Sequence, residues 1–226
     1  MTAGRQWTYN ATTPNRSDVL KMSVLSMSNS QGNVQITNQT TGSVKQVQVQ
    51  CTGDTIRSFP FMEVNALFGT SLNSSIAASY VSGVLAPSES AFLSNNWALG
   101  WSSQYSVTGT ASIIRNGTQL SAALNNSPVS INCQTLATGD AAFETVTVAA
   151  GTFRALKVAC TEQAQITTNL NGVSVTGTAE GRSYQWFAPY VGLVKMKMEY
   201  ANVKIFDVPF SLLTDNNFEL IGYTAP

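Results

Sequence analysis

Apolar and polar residues alternate with period two along most of the chain. Val47, Val49 and Cys51 fall on one side of an extended strand, and Gln46, Gln48 and Gln50 fall on the other. From Val194 to Tyr200 the same rule sets Val194, Met196, Met198 and Tyr200 opposite Lys195, Lys197 and Glu199, two groups that a helix would mix. Long helical periodicity is nearly missing. The pattern predicts an all-β chain, an antiparallel meander forming a curved sheet, half-barrel or sandwich with at most one or two short helices.

Residues that tolerate positive φ punctuate the alternation at Gly32-Asn33, Thr41-Gly42, Asn116-Gly117, Ala150-Gly151 and Asn171-Gly172, and each pair is expected to be a turn. The longest expected hairpin runs from Phe153 to about Thr168, reverses through Asn169 to Gly172, and returns from Val173 to Phe187. A second joins Glu144–Val148 to Phe153–Cys160, and a strand beginning at Leu193 closes the meander. Phe218 to Tyr223 is expected as a final edge strand, after a Val208-Pro209-Phe210 segment whose proline cannot donate to a ladder. Between Pro60 and Gly100 the alternation weakens. The expected organisation is one β-rich domain over 1–226, with halves 1–60 and 100–226 joined by an irregular segment, 61–99.

Composition narrows the classes of function. Twelve basic and twelve acidic side chains cancel, and only 11% of residues are charged, against about 25% in average soluble proteins. Ser, Thr, Asn and Gln keep the surface wet instead, a balance that favours an extracytoplasmic home: secreted, periplasmic or lipid-anchored at the cell surface. Without a basic block, nucleic acid and anionic membranes are poor partners. No stretch approaches the roughly 20 apolar residues of a transmembrane helix, and a leader is expected to have been removed ahead of Met1.

The chain has no histidine. That removes Ser-His-Asp and Cys-His catalytic pairs, histidine-ligated zinc and imidazole-held haem, so no catalytic residue, metal or cofactor is expected. Three cysteines permit at most one internal disulfide. Cys133 and Cys160 flank neighbouring predicted strands and are the expected pair, leaving Cys51 as a buried thiol; three buried, unpaired cysteines are the alternative.

The candidate ligand-contacting residues are aromatic and methionine side chains. Trp97, Trp101 and Tyr105, with Tyr80 and Phe92 before them, lie in and beside the region of weak pattern, where they stack on a ligand or simply fill the core. Met196 and Met198, with Met22, Met27 and Met62, offer a pliable apolar lining. Glu144, Glu162 and Glu180 are expected to form cross-strand ion pairs with Arg154, Lys157 or Arg182.

Two segments carry a family resemblance. The run Glu144-Thr145-Val146-Thr147-Val148-Ala149-Ala150-Gly151-Thr152-Phe153, with Trp186-Phe187-Ala188-Pro189-Tyr190-Val191-Gly192-Leu193-Val194-Lys195 after it, resembles a signature of uncharacterised bacterial secreted proteins and lipoproteins. In that group a strand enters a Pro-Ala-Gly-Thr-Phe turn, and a later Trp-aromatic-Ala-Pro-x-Val-Gly-Leu-Val-Lys segment ends the sheet. Ala149 stands where proline is usual. The resemblance implies a β-rich fold similar to the half-barrels of LolA- and LolB-type lipoprotein carriers and says nothing of activity.

Two functions fit these readings. One is a non-catalytic envelope domain that binds an apolar ligand, a lipid or a partner segment on a concave sheet. The other is a structural or adhesive surface module, self-assembling by edge-strand addition or contacting glycans through Trp97 and Trp101.

Overall fold

The computed structural model describes residues 2–13, 16–52, 55–58, 77–84, 100–115, 118–170, 173–205, 208–212 and 217–224. Among them the chain is all-β. The first strands are β1 (Gln6–Thr13), β2 (Arg16–Ser28), β3 (Gln31–Asn38), β4 (Val44–Thr52), β5 (Thr55–Ser58) and β6 (Ala77–Gly83). Next come β7 (Gly100–Arg115), β8 (Thr118–Thr135), β9 (Phe143–Val148), β10 (Gly151–Leu170) and β11 (Val173–Ala188). The last are β12 (Gly192–Ile205), β13 (Val208–Leu212) and β14 (Asn217–Tyr223), and a 3-10 turn at Gly139–Ala142 is the one helical element among the described residues.

Every pairing among these strands is antiparallel, and they make one 14-stranded sheet ordered β11-β10-β8-β7-β13-β12-β14-β1-β2-β3-β4-β5, with β6 on β7 and β9 on β10. β11 also pairs with β12, so β11, β10, β8, β7, β13 and β12 close into a ring, and the strands from β14 onward leave it as a wing. Long strands that change partners along their length create this fork. β10 gives its first residues to β9 and its later ones to β8, while β12 pairs with β14 through Lys195–Lys197 and with β13 through Asn202–Ile205. At about 3.4 Å per residue a strand as long as β10 is long enough to serve both parts.

Two apolar clusters follow from this arrangement. The ring encloses Tyr105, Val107, Leu124, Val129, Ile131, Leu156, Val158, Ile166 and their neighbours. The wing packs Trp7, Tyr9, Leu20, Met22, Val34, Ile36 and Val49 together with Met196, Met198, Phe218 and Leu220. Both draw on the period-two rule: the inward side chains of β10 are Leu156, Val158, Cys160, Glu162, Ala164 and Ile166, all buried.

Several sequence expectations are corrected in detail. The Gly32-Asn33 turn lies inside β3, and the chain reverses at Asn29-Ser30 instead. Gly32 leaves room there for the Met27 side chain, which would have to shift for a Cβ that sits 2.2 Å from its sulfur. The segment ending in Tyr223 is not an edge: β14 lies between β12 and β1 and pairs with both. Part of the segment expected to be irregular, Ala77–Gly83, is strand β6. Apart from Val84, the rest of it, with Met62, Phe92 and Trp97, lies outside the described residues. β10 and β11 form the expected hairpin, but β10 runs two residues further than expected: Asn169 and Leu170, expected in the reversal, pair with Ser174 and Val173.

Candidate functional site

The inner face of the ring carries polar groups that the core does not use. Paired residues of an antiparallel sheet point to the same side, so the rungs of the ladder place side chains beside one another. One rung runs Ser103, Ile131, Glu162, Gly181 and Ala201 across β7, β8, β10, β11 and β12. The next runs Tyr105, Val129, Ala164 and Ala179. On the other side of Glu162, a third holds Trp101, Cys133, Cys160, Ser183 and Met198.

Glu162 is 1% exposed. The Ser183 hydroxyl donates to its Oε1 at 2.6 Å, while Oε2 has no partner. Burial pushes the carboxyl up to about 7, with the Ser183 hydrogen bond pulling the other way. Among the described residues Glu162 has no ion pair: facing inward, it meets serine, glycine and alkyl groups rather than the outward lysines and arginines. The outward carboxylates do pair, Glu144 with Lys157 and Glu180 with Lys204.

Tyr105, also 1% exposed, stands edge-on to Tyr80 at 6.3 Å between ring centroids, and its hydroxyl lacks a partner. Trp101 is half-buried against Phe187, edge-on at 6.1 Å, and its Nε1 is buried and unpaired. Cys133 and Cys160 form a disulfide on the rung between Trp101 and Ser183, and Cys51 is a free, buried thiol.

On the opposite, outward side of these strands an open cleft of about 520 Å³ runs over the backbone of Tyr105, Val129, Ala164 and Ala179, walled by the outward alternates Gln104, Ser130, Gln163, Gln165, Thr178 and Glu180, with Asn126 and Pro128 at its rim. Its cause is local. The β7–β8 register shifts between Val107 and Gly109, and the β10–β8 register shifts between Ala164 and Thr167. β8 is bulged there, with Asn126 at φ 51 and Pro128 removing a backbone donor. Two ladders loosen around one irregular stretch, and space appears between strands that are tightly paired elsewhere.

Met196 and Met198 lie away from this cleft, each 1% exposed within the wing cluster. Tyr105 and Trp101 are thus brought to one interior face, while Met198, although on the rung of Trp101, packs with Met196 in the wing cluster. The signal for Glu162 in the sequence is a charged residue at an inward position of an alternating strand. The cleft also has a signal, Asn125-Asn126-Ser127-Pro128 interrupting a strand pattern.

The motif segments meet on the outer face. Trp186 pairs with Lys157 on β10 and Lys195 on β12, with the two ammonium groups 5.2 and 6.0 Å from its ring centroid. Its indole N–H donates to Glu144 at 3.0 Å, and Lys195 pairs with Glu219. The Trp186 hydrogen bond, with Lys157 as a lesser cause, holds the Glu144 carboxyl below its usual range. The turn at Pro189-Tyr190-Val191 is tied to β1 and the residue before it, where Arg5 donates to the Tyr190 carbonyl and Trp7 Nε1 to that of Val191 at 2.8 Å. Through these contacts the motifs act structurally, clamping β9 through β12 to β14 and β1.

Neither a family model nor a curated protein matches the chain. Two solved structures are similar in fold. A candidate exported protein with a YmcC-like fold from Bacteroides fragilis is 15% identical, with a TM-score of 0.51 over 99% of this chain and 96% of that one. A candidate lipoprotein from Parabacteroides distasonis is 14% identical, with a TM-score of 0.54 over 99% of this chain and 96% of that one. At such identity the likeness is one of fold.

Proposed function

We propose that this chain is a non-catalytic binding domain of the cell envelope or the exterior, and that it holds a lipid chain or another apolar small molecule in the open cleft across β7, β8, β10 and β11. The observation that carries the reading is that cleft of about 520 Å³, which runs over Tyr105, Val129, Ala164 and Ala179 between outward side chains that include Gln104, Ser130, Gln165 and Thr178. Ligand pockets commonly fall between about 300 and 1,000 Å³ and combine apolar walls with a few polar groups. The location rests on the charge-poor, amide-rich composition and on the Cys133–Cys160 disulfide, a bond that persists in oxidising compartments. That the fold relatives are candidate exported and lipoprotein chains agrees with it. The non-catalytic reading rests on the missing histidine and on the inward residues beside Glu162, which are Ile131, Cys133, Gly181 and Ser183 and include no second acid.

Titration with a fluorescent fatty acid, followed by displacement with unlabelled palmitate, tests the proposal. Saturable one-to-one binding, lost in Ser130→Trp while the far-ultraviolet spectrum is unchanged, is expected. Uptake that never saturates, or that Ser130→Trp leaves intact, refutes it.

A further inference from the structure

Resting on the cleft reading above, we infer that the floor of the cleft is a proton-controlled gate. With Glu162 neutral, the ring stays shut beneath a bound molecule; when Glu162 gives up its proton, the ladder between β8 and β10 opens to hydrate it and the cleft loses its floor.

Three features of one short ladder place the gate. The Cys133–Cys160 disulfide pins β8 to β10 at one end. At the other end the pairing breaks, for Leu124 to Pro128 of β8 lie opposite only Gln165 and Ile166 of β10. Asn126 stands there at φ 51, and Pro128 has no N–H to give to a ladder. Between the pin and the break run four rungs, pairing Thr161 with Asn132, Glu162 with Ile131, Gln163 with Ser130 and Ala164 with Val129. The last two of these rungs line the cleft. Glu162 is thus one rung from the cleft floor and points to the opposite face of the same two strands.

The acid has reason to seek water. It is 1% exposed; the Ser183 hydroxyl donates to Oε1, and Oε2 has no partner. A carboxylate enclosed without a cation is among the costliest groups a fold can hold. Among the described residues no charged side chain faces it: β7 presents Ser103 and the Tyr105 phenol, β8 Ile131 and Cys133, β11 Gly181 and Ser183, β12 Met198 and Ala201, and β10 itself Cys160 and Ala164. Glu180, the acid of the cleft wall, points outward and pairs with Lys204 at 3.1 Å. The disulfide holds one end of the ladder, so the loosened end is where the strands part. Burial sets the enclosed carboxyl at about 7, against 4.5 in water. An opening that restores the ordinary value is therefore about thirtyfold more favourable at pH 8.5 than at pH 5.5.

Hydrogen exchange of the full chain, followed by NMR with the disulfide intact, tests the gate at pH 5.5 and 8.5, with Glu162→Gln as the reference at each pH. Relative to the variant, wild-type amides of Val129 to Asn132 and Thr161 to Ala164 should lose about thirtyfold of their protection on going to pH 8.5. Their exchange should be flat against urea below the unfolding transition, as a local opening requires. N-phenyl-1-naphthylamine, an uncharged apolar probe, at ten times its dissociation constant should slow that exchange about tenfold in wild type at pH 8.5. The urea and probe arms need wild type alone, so a variant that fails to fold leaves them intact. Exchange at these amides that climbs with urea as steeply as in β2 and β3, or that ignores pH, overturns the gate. A probe that binds without slowing it separates the gate from the cleft and refutes the coupling, while the cleft reading stands. If the probe does not bind, the cleft reading and the coupling fail together, whatever the exchange shows.

Discussion

Replacing Glu162 by glutamine should stabilise the protein at alkaline pH and hardly alter it in acid. The glutamate is buried in the ring, with one oxygen on Ser183 and the other unpaired. Burial raises its carboxyl from 4.5 to about 7 in the folded chain. The folded state thus binds this proton more tightly than the unfolded state. The stabilisation is complete below about pH 4.5 and fades as pH rises to about 7, beyond which it is gone. At 1.36 kcal/mol per pKa unit, the loss is about 3 kcal/mol. Glutamine keeps the shape and carries no charge to desolvate. Urea denaturation of wild type and Glu162→Gln at pH 4, 6 and 8, with the disulfide intact, isolates this group from every other carboxylate. The stability difference should be near zero at pH 4 and should favour the variant by about 3 kcal/mol at pH 8. A difference that stays flat across this range, or that grows in favour of wild type, would refute the placement of a proton inside the ring.

Other parts of the fold make independent predictions. Cys133 and Cys160 close a loop with a sequence separation of 27, so serine at both positions should cost about 3 kcal/mol in urea midpoint analysis; thiol titration of denatured, unreduced wild type should find Cys51 alone. Asn38, 1% exposed, accepts the backbone N–H of Thr40 and Thr41 at 2.9 and 3.1 Å, and Asn38→Ala should lower stability by about 1–2 kcal/mol in the same assay. Gly83 lies at φ +105, where a Cβ would come within 2.0 Å of the Ser102 carbonyl oxygen. Gly83→Ala should therefore loosen β6 from β7, seen as faster amide exchange at Val84, whose N–H bonds Ser102.

The strand content and its longest hairpin were legible because β10 and β11 keep the in-and-out alternation over most of their length. The fork was not. Alternation says which side a residue faces, but not that β12 will trade β14 for β13 partway along, a choice made by neighbours far off in sequence. The same limit explains β14. Its sequence, ending near a chain terminus, looks like an edge, yet Phe218 and Leu220 are buried because β1 pairs with its other side. Gly32-Asn33 misleads for a local reason: glycine there makes room for Met27 rather than for positive φ.

The candidate site was half legible. Tyr105 and Trp101 stand out as aromatic strand residues, and their common face follows from their spacing. Glu162 looks like Glu144 and Glu180, a partner for a surface cation, although parity with Val158, Cys160 and Ala164 puts it indoors. The methionines of β12 share their alternation with any lining, and only the packing of β14 against that strand assigns them to a filled core.

Carbon-13 NMR of the glutamate side-chain carboxyls, followed from pH 4 to 9 and assigned through Glu162→Gln, interrogates the interior acid itself. One resonance with a midpoint near 7, missing in the variant, is the predicted outcome. If every glutamate titrates in the ordinary carboxylate range, the ring does not enclose Glu162 as described.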